Sequence, residues 1–257
     1  MTVFVTGGSG FVGGDLIRVL VRRGVAVRAL VRSVSAAEKV TALGAEAVDV
    51  DLFDRRGLRA AMIDCETVYH VAGVNTMCPA DPGAMYDVNV NGPRAVVAAA
   101  SAAHVNRVVL TSSAAAIGEL RGSVANGMTV HSRRYLSHYA RSKHLGEVAF
   151  FEEARRLGVE GVVVNPSSVQ GPGRVGGSAR IFLYALRSRR PVALDTVLSI
   201  VDVDDVSRGH ILAAERGVPG RRYLLNGVTM TVRGAFAMLE QASGRRVHPI
   251  LVPSWVG

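Results

Sequence analysis

The sequence predicts an α/β fold, a parallel sheet wound with helices on both faces, and three observations carry that reading. Residues 2–6 form a short β-branched and aromatic run, followed at once by a glycine-rich turn and then by apolar residues at helical spacing. Near-continuous apolar runs of strand length recur after that, each separated by a helical pattern, as expected where both faces of a parallel sheet are covered. The regular alternation then breaks beyond Gly173, which predicts a second, smaller region at the C-terminal side.

The first strand, 2–6, enters Gly7-Gly8-Ser9-Gly10-Phe11-Val12-Gly13, and Leu16, Ile17, Val19 and Leu20 then follow as a helix ending at Gly24. Strand, glycine turn and helix together are the setting of a dinucleotide-binding fingerprint. The glycines allow a tight turn and close backbone approach, and a pyrophosphate rests on the helix N-terminus. The run reads equally as Gly8/Gly10/Gly13 or as Gly7/Gly10/Gly13. These features make the fold a Rossmann-type doubly wound sheet. Its second strand, 25–31, ends at Arg32-Ser33, where such folds read the adenosine ribose: a carboxylate suits NAD, an arginine the 2′-phosphate of NADP. Arg32 therefore points to NADP, with NAD the alternative. Arg28 lies inside the strand, where it either assists or simply points outward.

Further strands are expected at 46–50, 67–71 and 107–111, with a helix over 54–63 and a long one over about 82–103 that contains Asn89 and Gly92-Pro93. Asp51 either meets the adenine or caps the next turn. Ser113 stands at the carboxyl end of the fifth strand, the edge where open α/β sheets bind ligands. With Thr111 and Ser112 it makes three hydroxyls in a row, a combination also common in turns. The long connection over 114–138 is expected to wall an active site. Its His131 and His138 are candidates for acid–base work and read more simply as solvated loop histidines.

A helix over 135–157 would set Tyr139 and Lys143 one turn apart on one face, a phenol beside an ammonium. A neighbouring cation stabilises a phenolate and so moves a tyrosine towards the range where it exchanges a proton. Of 30 basic residues only Lys39 and Lys143 are lysine, leaving 28 arginines. A lysine here suggests a task that a planar guanidinium does not perform. The sixth strand, 159–165, leads into a stiff Pro166-to-Gly173 turn. A helix at 181–186, a strand at 199–203, a helix at 205–216, a strand at 223–225 and a helix at 231–242 then fit a smaller lid. The expected organisation is a cofactor-binding domain over 1–170 and a substrate-binding lid over 171–257, partly interleaved with the sheet.

At 257 residues with 49 % hydrophobic and 20 % charged content, the chain buries a sizeable core, as one large domain or as one domain with a small annex. No run reads as a membrane span or a signal peptide, and two cysteines offer no disulfide framework, so a reduced cytoplasm is expected. Neither cysteine has a neighbour at metal-ligand spacing. The formal charge of +9 comes from scattered arginine pairs at helix ends, such as Arg22-Arg23 and Arg155-Arg156, rather than from a basic block. Nucleic-acid binding is not expected.

Together the Gly7-to-Gly13 turn, Ser113 after the fifth strand and Tyr139-x-x-x-Lys143 resemble the extended short-chain dehydrogenase/reductases of the NAD-dependent epimerase/dehydratase type, most closely the dihydroflavonol-reductase-like branch. Val68-Tyr69-His70-Val71-Ala72, Asp87-Val88-Asn89-Val90-Asn91-Gly92 and Asn165-Pro166 through Gly173 match as well, so that the resemblance runs to about Trp255. It implies that Tyr139 protonates a carbonyl oxygen as hydride arrives from the nicotinamide. Lys143 would hold the nicotinamide ribose and Ser113 the same carbonyl oxygen, with Asn89 supporting the site. Gly7, Gly10 and Gly13 would cradle the pyrophosphate, with Phe11 and Val12 in the same turn. Asp51, Leu52 and Ala72 would line the adenosine half, and Pro166 and Val169 the nicotinamide half.

Ala114-Ala115 stand where sugar dehydratases of this type carry an Asp-Glu pair, which argues against a dehydratase. Arg32 stands where sugar epimerases usually carry an acid. The expectation is an NADP(H)-dependent reductase of a small-molecule carbonyl, possible as a homodimer, with an NAD-dependent nucleotide-sugar epimerase second. A non-catalytic redox sensor is the alternative of another class; sensors on this fold typically lack the Tyr/Lys pair. The apolar run Val247, Ile250, Leu251 and Val252, with Trp255 behind it, is expected to need cover. The reading offered is a lid incomplete at the C-terminus or closed by a subunit contact.

Overall fold

The computed structural model describes residues 1–76, 79–118, 124–188 and 190–253. The first half of the chain runs β1 (Thr2–Thr6), α1 (Phe11–Arg22), β2 (Ala26–Val31), α2 (Val34–Ala42), β3 (Glu46–Asp49), α3 (Arg55–Met62), β4 (Thr67–His70), α4 (Gly83–Tyr86), α5 (Gly92–Ala102) and β5 (Arg107–Thr111). There follow α6 (His138–Leu157), β6 (Glu160–Pro166), β7 (Ser168–Gln170), α7 (Ala179–Arg187), β8 (Val192–Asp195) and β9 (Val197–Asp202). The chain continues through α8 (Val203–Arg216), β10 (Arg222–Leu225), β11 (Val228–Thr231), α9 (Val232–Ser243) and β12 (Ile250–Pro253).

It divides into two compact units, Met1–Pro166 with Asp204–Leu225, and Ser167–Val203 with Asn226–Gly257. In the first, seven strands lie in the order β10-β6-β5-β4-β1-β2-β3, all parallel. The winding reverses between β1 and β4, the switch point at which a sheet of this kind opens a crevice at its carboxyl edge. Alternate side chains divide the core between the two faces. Phe4, Val68, Val108 and Leu110 pack one way, against Leu58 and Met62 of α3, Val96 and Val97 of α5 and Phe150 of α6. Val3, Val5, Tyr69, Val109 and Val164 pack the other way, against Leu16, Ile17 and Leu20 of α1 and Ile211 and Ala213 of α8. Each such side chain, fully buried, contributes roughly 1.5–3 kcal/mol.

Several expectations change here. Helix 205–216 and strand 223–225, grouped with the lid in the sequence reading, run as α8 and β10 in the first unit, where Arg222–Leu225 pair with Val163–Pro166. Ile211, Ala213 and Ala214 give α8 an apolar face that packs with the sheet residues. Helix α2 was not anticipated. Its signal is Ser33, whose hydroxyl accepts from the Ala36 N–H as an N-cap. The helix expected from residue 135 starts at His138, because Ser137 is extended and caps the Ala140 N–H.

The long helix expected over 82–103 is interrupted by a π-helical turn at Asp87–Asn91. Pro93 lacks the N–H that would bond the Asn89 carbonyl, and the chain widens instead, with the Gly92 N–H donating to the Asp87 carbonyl.

In the second unit β7 and β9 pair in parallel and β9 and β11 antiparallel, while β12 pairs in parallel with β8. Its core gathers Ala185, Val232, Phe236 and Val247, with Leu251 packed against them. Of the apolar run at 247–252, Val247 is core and Leu251 packs partly against it, whereas Ile250 in the strand Ile250–Pro253 is 51 % exposed. Trp255 lies outside the described residues. No helix among the described residues is long and apolar enough to cross a membrane.

Candidate active site

The glycine turn after β1 closes on itself. Gly10 N–H donates to the Gly7 carbonyl at 3.0 Å. A side chain on Gly13 would collide with that same carbonyl. Gly7 has φ +74°, and a Cβ there would stand 2.6 Å from the Ala72 nitrogen. Gly8 instead faces Ile17, Ala29 and Val40, so the tight turn is made by Gly7, Gly10 and Gly13. It opens onto the N-terminus of α1, where Gly10 provides no capping side chain and the first turn carries no acid. Phe11 and Val12 are the first residues of that helix. A side-chain-free cradle at an uncapped helix N-terminus fits a dinucleotide pyrophosphate.

Arg32 follows β2 directly and is exposed, with no hydrogen bond or ion pair to its side chain among the described residues. Arg28, by contrast, is engaged by Glu46 and by the carbonyls of Ala61 and Ile63, and so is occupied away from any ribose. Asp51 caps a turn, accepting from the Phe53 N–H at 2.8 Å. Leu52 is buried in the core beside α3 and α5. Ala72, just past β4, donates its N–H to the Thr6 hydroxyl.

Asn89 sits in the π-helical turn and is 3 % exposed. Its amide bonds both backbone groups of Val74 at 2.8 Å and donates to the Ser142 hydroxyl at 2.9 Å. It therefore ties the strand end after β4 to α6. α6 and the π-helical turn meet closely because residue 146 is glycine: a Cβ there would run into the Asn89 carbonyl.

Tyr139 and Lys143 lie one turn apart near the start of α6. The Lys143 ammonium donates to the Thr111 carbonyl at 2.9 Å, two residues before Ser113. A small cavity there is lined by Ala72, Asn89, Thr111, Ser112, Lys143 and Gly146. Burial pulls the Lys143 pKa down to about 8, with Glu147 opposing the shift. His70, at the end of β4, is fully buried 2.7 Å from the Thr6 hydroxyl. Desolvation and then the Lys143 charge take its pKa to about 3, so the imidazole is neutral. Sequence alone gives His70 no role, because its proximity to Lys143 depends on strand pairing.

Ser113 caps the short 3-10 turn that follows β5, accepting from the Ala115 N–H at 3.2 Å. Its carbonyl is held by the Asn165 amide at 2.9 Å. Pro166 is buried at the end of β6. Val169 is buried in β7, which belongs to the second unit.

His131 departs from expectation. It is buried, accepts the Arg133 N–H at 2.7 Å and packs on His144, with ring centroids 4.2 Å apart. Burial, His144 and Arg222 all lower its pKa. His138 is exposed, 3.2 Å from the Tyr86 hydroxyl.

Residues 3–225, which hold the glycine cradle, the strand-end serine and the Tyr/Lys helix, match the model of the NAD dependent epimerase/dehydratase family. The chain belongs to that family. Within it, the chain is 35 % identical over 261 residues to a putative dihydroflavonol 4-reductase of Synechocystis sp., covering 98 % of this chain and 76 % of that one. It is 33 % identical over 259 residues to a 4-hydroxy-2-methyl-3-oxo-4-farnesyl-3,4-dihydroquinoline-1-oxide ketoreductase of Stigmatella aurantiaca, covering 98 % and 76 %. The crystal structure of gox2253 superposes with a TM-score of 0.90 at 32 % identity, covering 99 % of this chain and 79 % of that one. Membership makes the chain an extended short-chain dehydrogenase/reductase, an NAD(P)-dependent oxidoreductase.

Proposed function

We propose that the protein reduces the carbonyl of a small molecule with NADPH, and that Tyr139, Lys143 and Ser113 carry the chemistry. The observation that supports this most is the Lys143–Thr111 bond. It ties the phenol-bearing helix α6 to the strand end that bears Ser113. When bound, the dinucleotide supplies hydride to the carbonyl carbon. Tyr139 gives its phenolic proton to the carbonyl oxygen, and Ser113 donates a hydrogen bond to that oxygen as negative charge develops on it. Lys143 binds the nicotinamide ribose and favours the phenolate left after proton transfer. Asn89 holds α6 in place through Ser142.

Gly7, Gly10 and Gly13, with Phe11 and Val12, receive the pyrophosphate. Asp51, Leu52 and Ala72 line the adenosine half, while Pro166 borders the nicotinamide. Arg32, exposed and unpaired, takes the 2′-phosphate. Reductase names among the relatives support reduction over epimerisation. Ketones suit the reading better than nucleotide sugars, because no acid stands at position 32 and Ala114-Ala115 offer no second acid–base pair.

The test is NADPH oxidation against a panel of aldehydes, ketones, flavanonols, steroid ketones and nucleotide sugars. Turnover of a carbonyl at least ~10-fold better with NADPH than NADH, reversed in Arg32→Asp, is expected; a charge-assisted contact of this kind is worth roughly 1.5–3 kcal/mol. Interconversion of a nucleotide sugar with no net oxidation of NADPH or NADH would establish an epimerase instead. Dinucleotide binding with no turnover of any class would leave a sensor.

A further inference from the structure

Arg222, on the edge strand β10, spends every arm of its guanidinium on structure that flanks the reacting residues. Its Nε donates to the Gly127 carbonyl at 3.1 Å and one terminal nitrogen to the Thr129 carbonyl at 2.7 Å. The other terminal nitrogen meets Glu147 of α6 at 3.3 Å. The Glu147 side chain is 4 % exposed and that of Arg222 is 19 % exposed. Glu147 lies one turn beyond Lys143 and accepts at 2.5 Å from Asn165, whose amide also holds the Ser113 carbonyl.

A second observation comes from the segment itself. Asn126 to Thr129 form a tight turn, with the Thr129 N–H donating to the Asn126 carbonyl at 3.1 Å. This turn lies so close along β10 that a Cβ on Gly127 would stand 2.6 Å from the Arg222 carbonyl oxygen. The turn thus covers an otherwise open sheet edge. It belongs to the connection between the Ser113 turn and the Tyr139 helix. Met128 and Val130 point outward, 67 % and 82 % exposed, so apolar burial of these two does not hold the turn down.

We propose that Arg222 is a positioning residue for substrate: with Glu147 as buried counter-ion, it fixes segment 124–137 beside Ser113 and Tyr139, so that substrate affinity depends on it while cofactor affinity does not. This rests on the reading of Ser113 and Tyr139 as the reacting groups. A planar fork is required. Lysine in its place keeps a charge for Glu147 but has neither the span nor the donor geometry for two further carbonyls. Lys143 feels the Glu147 charge, and a lysine in place of Arg222 keeps a counter-charge for Glu147; the turn after β1 and the end of β2 share no hydrogen bond with this network among the described residues.

The test uses Arg222→Lys and Gly127→Ala, with steady-state kinetics, NADPH binding and amide hydrogen exchange. Gly127→Ala forces the turn off β10 while leaving the charge pair unchanged, so the two variants reach the same segment by different routes. Both are expected to raise KM for the best carbonyl substrate by about tenfold or more, with kcat and the NADPH Kd within about threefold of wild type. Faster exchange over 124–137 is expected in both. An unchanged KM in either variant overturns the proposal, as does a parallel loss of NADPH affinity. Wild-type protein that turns over no carbonyl would instead refute the underlying reading and with it the claim about substrate; exchange would then still report whether Arg222 holds the segment.

Discussion

Burial and function act in opposite directions on the proton of Lys143. Removing the ammonium from water brings its pKa from 10.5 to about 8, even with Glu147 supporting the charge. In the unliganded protein the cation is complete below that value and is lost as pH rises through it. Between about 8 and 10.5 the unfolded chain binds a proton here that the folded chain does not, so this residue's contribution to stability grows with pH across that window and is lost as pH falls through 8. Dinucleotide binding should run the other way if the ammonium holds the ribose. Wild-type NADPH affinity is expected to weaken by up to ~10-fold from pH 7 to 9, while Lys143→Met binds weakly and without that slope. Calorimetric or fluorescence titration across this range checks it; a flat wild-type profile would detach Lys143 from the cofactor.

At this scale the sequence was most readable where chemistry is local. Tyr139 and Lys143 are four apart, and a near-absence of other lysines marks the second of them. His131 was misread because nothing nearby announces burial: it is covered by His144 and Tyr135 packed against its ring.

Among the elements, the contact between α6 and the π-helical turn determines how the site is assembled. Asn89 bonds Ser142, and the backbone of Gly146 lies against the Asn89 carbonyl that Pro93 leaves without its usual donor. Gly146→Ala should therefore separate two elements rather than fill space. Although alanine favours helix, a loss of ~1–3 kcal/mol is expected from overpacking, together with weaker NADPH binding as Asn89 and Lys143 move. Urea unfolding and a binding titration measure both effects. A variant as stable as wild type would mean the close approach is not maintained in solution.

Sequence pattern located most strands and helices of the first unit, since apolar runs and glycine stops are short-range signals. It missed the π-helical turn, although Gly92-Pro93 was visible, because a proline announces an interruption and not the form it takes. It also missed β8 and β12, whose register pairs Val192–Asp195 with Ile250–Pro253 across a long stretch of chain.

For the molecule as a whole, seven parallel strands with a switch point between β1 and β4 gather residues from across the first unit at one sheet edge. Glycine turn, strand–helix alternation and Tyr/Lys helix were legible because each repeats a local grammar. The Glu147–Arg222 pair was not, as its partners stand 75 positions apart and β10 was grouped with the lid. The proposed reaction turns on one proton donor. Tyr139→Phe keeps the ring and removes the hydroxyl, so the decisive measurement is the single-turnover rate of NADPH oxidation by this variant, with NADPH affinity measured on the same preparation. The expected result is affinity within about threefold of wild type and a rate lower by at least ~10²-fold. A Tyr139→Phe protein that oxidises NADPH at the wild-type rate would contradict it.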